Sequence, residues 1–153
     1  MSGRSVALFA VVGIPTLLYL SAPLGERTAY KSRRYAQETA ALKAIQTLNT
    51  AQVQYNSQFG RFAQSLTELG PSAANLILPD LAAGEKHGYK FTLTITPEGY
   101  SIQAVPTVFG ATGSRTFYTD QSLVIRENYG PEPATANSKE VGSAAATSGR
   151  GAP

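Results

Sequence analysis

The sequence predicts an α+β fold in which one long amino-terminal helix packs on a four-stranded antiparallel sheet. Two observations carry this prediction. A helical pattern of apolar residues fills the first half of the chain, up to about residue 62, and short alternating segments fill the second half from residue 89 onward. Strands that each have one apolar face form a sheet whose apolar face must be buried by another element. The apolar stripe of the long helix is the surface in the sequence that can bury it.

The first element is an uncharged apolar segment, residues 5–25. As a helix it would be roughly 30 Å long, about the thickness of a bilayer core. A cleaved signal peptide is disfavoured, because the candidate cleavage site has Leu20 at its outer position and Pro23 directly after it. A buried helix is disfavoured, because nothing else in the chain is large enough to cover it. The segment is therefore predicted to be an uncleaved membrane anchor that is kinked at Pro15.

The second element is a helix over residues 26–62. Its apolar side chains recur at spacings of three to five residues, and Gly60 is typical of a carboxyl-terminal helix cap. The stripe consists of Ala41, Ile45, Leu48, Val53, Tyr55, Phe59 and Phe62. Together with the anchor this helix would make a rod of about 50 residues, roughly 75–80 Å long. Such a rod is too long for a compact domain of this size, so its front half is predicted to project into a membrane, a partner or both.

The net charge is +3, and the excess of basic residues lies just after the apolar segment. Bases and tyrosines are interleaved there, at Tyr30, Lys31, Arg33, Arg34 and Tyr35. A short basic segment beside an apolar one favours contact with lipid headgroups, where Tyr, Lys and Arg form an interfacial belt. Stacking on single-stranded nucleic acid is the alternative. It is less favoured, because a nucleic-acid footprint is normally larger.

The second half of the chain begins with a loop region over residues 70–88, with a short helical turn predicted around residues 72–78. Apolar and polar residues then alternate in segments that are typical of half-buried strands. The predicted strands are residues 89–96, 100–104, 116–119 and 123–125. A Gly/Thr loop over residues 106–114 separates the second strand from the third, and a turn at Asp120 joins the last two.

The chain after residue 130 consists mostly of Gly, Pro, Ala, Ser and Thr, which predicts a flexible tail. The predicted division of the chain therefore has three parts. They are an apolar membrane and assembly segment over residues 1–25, a globular domain over residues 26–129, and a tail over residues 130–153.

The composition excludes much enzyme chemistry. The chain has no Cys and one His, which removes disulfides, thiolate metal sites, cysteine nucleophiles and multi-histidine metal sites. His87 has no triad motif around it and is predicted to be a solvated loop residue. Asp120 lacks the neighbouring carboxylates of a calcium site, and the loop over residues 110–113 lacks the lysine of a phosphate loop. No catalytic residue, no cofactor and no metal is predicted, and the protein is expected not to be an enzyme.

The architecture and several sequence segments resemble type IV pilins and pseudopilins, in particular a pilin-like group common in acidobacteria. The resemblance covers roughly residues 35–128. The segments that carry it are AIQTLNTAQVQY at residues 44–55, LTELG at 66–70, GYKFTL at 88–93, GYSIQA at 99–104 and GSRTFYTDQSLVIR at 113–126. The resemblance implies a protruding, membrane-embedded helix followed by a small antiparallel sheet.

One part of the family's pattern is not met. Pilin precursors carry a short basic leader that ends in Gly, then an aromatic residue, and a few residues later a Glu inside the apolar helix. Here Gly3 is followed by Arg4 and Ser5, and the first acidic residue is Glu26. Processing by the pilin peptidase and the salt-bridged registration of subunits are therefore not carried over to this chain.

The resemblance implies a structural subunit of a type IV pilus-like or pseudopilus-like filament, built from copies of itself or with other pilins. It places the protein in the bacterial cell envelope, anchored in the inner membrane before assembly and extracellular or periplasmic afterwards. The positive-inside rule favours the opposite orientation of the anchor, because the bases follow it. The residues expected to bundle are Val6, Leu8, Phe9, Val12, Ile14, Pro15, Leu17 and Leu18. The alternative is a membrane-anchored monomeric binding module that uses the sheet and the 106–114 loop.

Overall fold

The computed structural model of the 153-residue chain describes residues 24–142. Most of the predicted membrane anchor lies outside the described residues, together with all eight candidate assembly residues between positions 6 and 18. Residues 143–153 of the predicted tail lie outside them as well.

The long helix α1 spans Leu24–Phe59. It ends at the predicted cap, three residues before the predicted bound of residue 62, because Gly60 adopts a φ of +69°. Gly60 also donates its N–H to the carbonyl of Asn56 at 2.8 Å. A left-handed residue at this place satisfies the last carbonyls of a helix. Most of the apolar front half expected of the long helix lies outside the described residues, and the first turns of α1 include several charges. Within residues 24–142, no helix combines the length and the apolar character needed to cross a membrane.

Two short helices follow, α2 at Leu66–Leu69 and α3 at Pro79–Ala82. The helical turn predicted around residues 72–78 is wrong, since the two short helices flank that stretch. The reason is local. Ser65 caps α2 by accepting the N–H of Glu68 at 3.2 Å, and Pro79 opens α3, where a missing N–H costs nothing. Between them Asn75 has a φ of +53°, which stops a helix.

The sheet has six strands in sequence order, and every neighbouring pair is antiparallel. The strands are β1 Glu85–Lys86, β2 Tyr89–Thr96, β3 Gly99–Pro106, β4 Arg115–Asp120, β5 Arg126–Tyr129 and β6 Lys139–Glu140. The α+β class and the helix-on-sheet packing are confirmed, whereas the prediction of four strands is wrong. The two additional strands have two residues each, too few for an alternating pattern to appear in the sequence.

The last predicted strand is displaced by three residues. The segment 123–125 is irregular, and pairing with β4 begins only at Arg126. Leu123 is the reason, because its φ of +66° is incompatible with an extended strand and its side chain is half exposed. The turn itself is at the predicted place, where the Asp120 carboxylate accepts the N–H of Ser122 at 2.9 Å.

Residues 130–142, predicted to belong to a flexible tail, are folded. Residues 130–142 fold back on the sheet, where Ala134 is completely buried. Thr116 donates its hydroxyl to the carbonyl of Glu132 at 2.8 Å, and Val141 donates its N–H to the carbonyl of Ile125 at 2.9 Å. Backbone groups of this segment make several of these contacts, and a hydropathy pattern does not reveal them, although Ala134 and Val141 also pack on the core.

The core lies between the carboxyl-terminal half of α1 and one face of the sheet. The buried residues of the helix are Ala41, Ala44, Ile45, Leu48, Ala51 and Tyr55, and those of the sheet are Tyr89, Phe91, Tyr100, Ile102, Ala104 and Phe117. Val53 and Phe59, predicted on the helix stripe, are about half exposed. Polar Gln52 takes a stripe position instead, and it is satisfied by two hydrogen bonds to the backbone of Ala63.

Candidate interaction surface

The amino-terminal part of α1 lies beyond the apolar core. The first completely buried apolar residue of the helix is Ala41, and most side chains between residues 25 and 36 are exposed. At the spacing of three and four residues that marks one helix face, the stripe continues toward the amino terminus as Arg34, Tyr30 and Arg27. The same helix face therefore changes from apolar to aromatic and basic where it leaves the sheet.

The loop over residues 106–114 packs against this part of the helix. The Tyr30 hydroxyl donates a hydrogen bond to the carbonyl oxygen of Gly110, and the Arg34 Nη1 donates to the same oxygen at 3.5 Å. Gly110 has a φ of +83°, a conformation that favours glycine. The loop was predicted from its composition, but its attachment to the helix was not.

Hydrogen bonds inside the loop hold its shape. Gly110 donates its N–H to the carbonyl of Gly113 at 2.7 Å, and Thr112 donates its N–H to the carbonyl of Val108 at 2.9 Å. The Thr112 hydroxyl also accepts the N–H of Val108 at 3.2 Å. At the root of the loop Thr107 donates to the carbonyl of Gly88 at 2.9 Å. These bonds fix Val108 and the neighbouring Phe109 in place, although both are about half exposed.

The loop points toward the amino terminus of α1. Its last residue, Ser114, bonds to Glu38 on the helix, whereas its middle residue, Gly110, bonds to Tyr30 and Arg34. Glu38 and Tyr30 are eight residues apart, which corresponds to about 12 Å along a helix. The loop therefore runs along the helix away from the sheet.

A buried ion network fixes the root of this surface. Glu38 accepts the N–H and the hydroxyl of Ser114 at 2.7 and 2.9 Å, and its other oxygen accepts Nε of Arg115 at 2.8 Å. Arg115 also donates from Nη1 to Glu127 at 2.9 Å, and its guanidinium lies 5.3 Å from the centre of the Phe117 ring. The network joins α1 to β4 and β5 through charges that are almost entirely buried.

Two pKa shifts reflect this environment. Burial, reinforced by the nearby negative charge of Glu38, raises the pKa of Tyr89, whose hydroxyl donates to the carbonyl of Arg115 at 2.9 Å. Burial lowers the pKa of Arg115, but its hydrogen bonds to Glu127 and Glu38 outweigh burial, so the pKa is raised overall. Arg115 is therefore a fixed cation and Tyr89 a fixed neutral donor.

This network was not predicted from the sequence. A signal was present, because Glu38 stands three residues before Ala41 and seven before Ile45, on the predicted apolar stripe. A carboxylate at a buried position needs a cationic or hydrogen-bonding partner. The sequence does not identify that partner, since Arg115 follows 77 residues later.

The five residues predicted to contact headgroups or nucleic acid do not share one face. Tyr30 and Arg34 are turned toward the loop, while Lys31 and Arg33 are exposed on either side of them. Tyr35 is 68% exposed and lies on the side of the helix away from the loop. The arrangement is a basic helix segment with an uncharged loop against one face, and we call it the helix–loop surface. It consists of residues 27–35 and 106–114.

The other polar candidates have ordinary surroundings. His87 is exposed, with a φ of +50° in the turn between β1 and β2. It borders a shallow groove of about 230 Å³ between α1 and α3, together with Lys43 and with Lys86, which pairs with Asp80 at 3.0 Å. Among residues 24–142, no cluster of three or more acidic or histidine side chains is placed to hold a metal ion.

Comparisons of the chain with protein-family models, with curated proteins and with solved structures gave no match.

Proposed function

We propose that this protein is a pilin-like structural subunit of a type IV pilus-like or pseudopilus-like filament in the bacterial cell envelope. The observation that carries the proposal is the division of α1. Its carboxyl-terminal half supplies the core of the domain, and its amino-terminal part extends beyond the apolar core. One half of such a helix packs in its own domain, and the other half extends from the domain. The extending half can bundle with the same helix of other subunits while the sheet remains on the outside of the bundle.

The assembly mechanism follows from the sequence of the projecting part. The apolar residues from Val6 to Leu18 would pack between subunits or in the inner membrane before assembly. Ala7, Ala10 and Gly13 are three residues apart and would let helices approach closely. Successive subunits would meet through two different surfaces, which generates an open helical polymer. The proposal assigns no catalytic residue, no cofactor and no metal.

Electron microscopy of sheared cell-surface material, combined with mass spectrometry of the chain's amino terminus, tests the proposal. We expect filaments that contain this chain. Finding it only in the membrane fraction, as a monomer, would contradict the filament and favour the second candidate below.

Cysteine cross-linking gives an independent test, because the chain has no cysteine of its own. One cysteine would replace Ala10 and a second would replace Leu17 in the same chain. An open polymer with two different contact surfaces predicts a ladder of cross-linked species for the double variant and at most dimers for each single variant. A double variant that also stops at dimers would contradict open assembly.

The second candidate is a membrane-anchored monomeric pilin-fold binding module. The observation that favours it is the helix–loop surface, which presents exposed apolar side chains at Val108 and Phe109 on a hydrogen-bonded loop. Exposed apolar side chains on a fixed loop suit a binding function. A monomer in mild detergent that keeps its fold and does not cross-link would support this candidate.

A further inference from the structure

We propose that the 106–114 loop reaches the headgroup region of the bilayer that holds the apolar segment. Val108 and Phe109 enter the interface, and Lys31 and Arg33 on the adjoining helix face anionic lipid phosphates. The inference rests on the proposed function in one respect, namely that residues 5–25 anchor the protein in a membrane. It adds a second contact with the membrane, made by the globular domain.

The first argument is the chemistry of the loop. Residues 106–114 contain no charged side chain, and the two largest apolar side chains, Val108 and Phe109, are 54% and 46% exposed. Hydrogen bonds within the loop hold both in an exposed position, so little conformational entropy is lost when they are buried. Adjacent apolar and aromatic side chains with no charge between them fit the boundary between headgroups and acyl chains.

The second argument is position along α1. The uncharged segment ends at Gly25, and Tyr30 and Arg34 follow about 7 and 13 Å further along the helix. The loop is bonded to the helix at these two residues and runs toward the amino terminus. Headgroups add roughly 5–8 Å on each side of the hydrocarbon core. The loop middle therefore reaches the headgroup layer when the apolar segment fills the core.

The third argument is charge. Between residues 26 and 34 the helix carries Arg27, Lys31, Arg33 and Arg34, and Glu26 is the acidic residue among them. Lys31 and Arg33 are exposed on the two sides of the helix face that holds the loop. Bases beside an apolar wedge attract anionic lipid, and each base near such a surface adds to the attraction.

Single-stranded nucleic acid fits the helix–loop surface less well. Binding of unstacked bases needs aromatic faces that follow one another along a basic groove. Here the exposed aromatic side chains Phe109 and Tyr35 lie on different sides of α1, and the neighbour of Phe109 is Val108. A bilayer offers an apolar environment to the side chains of Val108 and Phe109, whereas a phosphate backbone offers them none.

Tryptophan fluorescence tests the inference, because the chain has no tryptophan. The full chain with Phe109→Trp is reconstituted into vesicles of phosphatidylcholine and phosphatidylglycerol with brominated acyl chains. The matched control is Ile95→Trp, since Ile95 is 45% exposed and lies near the β2–β3 turn. That turn is at the opposite end of the domain, where Gly99 lies against Phe62.

We expect a blue shift and quenching by brominated lipid for Phe109→Trp, and neither for Ile95→Trp. Adding Lys31→Gln and Arg33→Gln should reduce the quenching in anionic vesicles. Quenching that is equal in pure phosphatidylcholine vesicles and insensitive to these two changes would overturn the role of the bases.

The outcomes separate this inference from the proposed function. If the protein floats with the vesicles but Phe109→Trp responds like Ile95→Trp, the loop contact is overturned and the anchor stands. If the protein does not float with the vesicles, the anchor fails and the loop contact fails with it. If a single-stranded oligonucleotide quenches Phe109→Trp more than brominated lipid does, the partner is nucleic acid and the inference is overturned.

Discussion

At the scale of single residues, Glu38 determines where α1 can rest on the sheet. Its carboxylate is 7% exposed and accepts hydrogen bonds from Ser114 and Arg115. A buried charge without its partners is strongly unfavourable. Displacing α1 along the sheet by one turn would break all of these bonds, so the network selects one register of helix against sheet. The apolar stripe alone, half of whose buried residues are alanines, would be less selective.

Removing the charge of Glu38 should therefore be costly. We expect Glu38→Gln to lower the free energy of unfolding by about 3 kcal/mol, because Arg115 stays buried with one partner fewer. Urea unfolding measures this. The control is Glu140→Gln, which removes the exposed pair with Arg126 and should cost less than about 1 kcal/mol. Equal effects of the two substitutions would show that the buried network does not stabilise the fold.

Tyr100 makes the stability depend on pH at the alkaline end. Its hydroxyl donates to Asn49 at 3.2 Å. Burial, with a smaller contribution from the charge of Asp120, raises its pKa from 10.0 to about 12. The folded state therefore holds the proton more tightly than the unfolded state. This contribution is fully present below pH 10 and is lost as the pH rises toward 12.

The corresponding measurement is urea unfolding at a series of pH values from neutral to alkaline. The free energy of unfolding should fall above pH 10. In the Tyr100→Phe variant it should fall less steeply over the same interval. An unchanged slope in Tyr100→Phe would assign the alkaline loss to other groups, such as Tyr89, whose pKa burial also raises.

At the scale of elements, α1 combines two environments in one continuous helix. Leu48 is completely buried against the sheet, whereas Val53, only five residues later, is about half exposed. Residues five apart on a helix differ by about 140° in direction, so they cannot share a face. The predicted stripe allowed spacings of five, which is why it included Val53 although the sheet covers a narrower arc.

Leu48→Ala and Val53→Ala form a matched pair. We expect Leu48→Ala to cost about 2–5 kcal/mol through the cavity it leaves. Val53→Ala should change stability by no more than about 0.5 kcal/mol, as exposed substitutions usually do. Thermal unfolding followed by circular dichroism distinguishes them. A large loss for Val53→Ala would mean that its exposed face is covered by another subunit, which a dilution series would reveal.

The 106–114 loop depends on the backbone of Gly110. A side chain added there meets no atom within 4 Å, so the φ of +83° is the main obstacle to substitution. Gly110→Ala should therefore cost roughly 1–2 kcal/mol. Gly25→Ala also meets no atom but has a helical backbone, and should be neutral or slightly stabilising. Denaturant titration of both variants provides the measurement, and equal effects would refute the backbone argument.

At the scale of the whole molecule, the segment after β5 completes the sheet. Residues 130–142 add β6 and bury Ala134, and Gln103 on β3 donates to the carbonyl of Ala134 at 3.5 Å. The sheet is thus closed at one edge by β1 and at the other by β6, two very short strands. Short edge strands limit unwanted pairing between molecules.

Two shortened chains test the role of this segment. A chain ending at residue 142 keeps β6, and a chain ending at residue 129 lacks it. We expect the chain that ends at residue 129 to melt at a lower temperature, because the hydroxyl of Thr116 and the side chain of Gln103 lose their carbonyl partners. Identical melting temperatures would mean that residues 130–142 only lie on the surface.

The sequence by itself determined the elements whose signal is local and repeated. Periodicity predicts the long helix and the strands β2 and β3. A glycine predicts the end of the helix at Gly60, and an aspartate that can bond to its own backbone predicts the turn at Asp120. The α+β class follows from the same patterns, because a sheet with one apolar face and a helix with one apolar stripe must cover each other.

Only the tertiary structure decided the rest. The strands β1 and β6 are too short to show a period. The pairing of Glu38 with Arg115 and the attachment of the 106–114 loop to Tyr30 and Arg34 join residues that are distant in the sequence. Backbone hydrogen bonds carry no signal in hydropathy, and a charge on an apolar stripe, such as Glu38, does not identify its partner. Their partners are chosen when the helix settles on the sheet, because only then do the long-range geometry and the cost of an unpaired buried group select one arrangement.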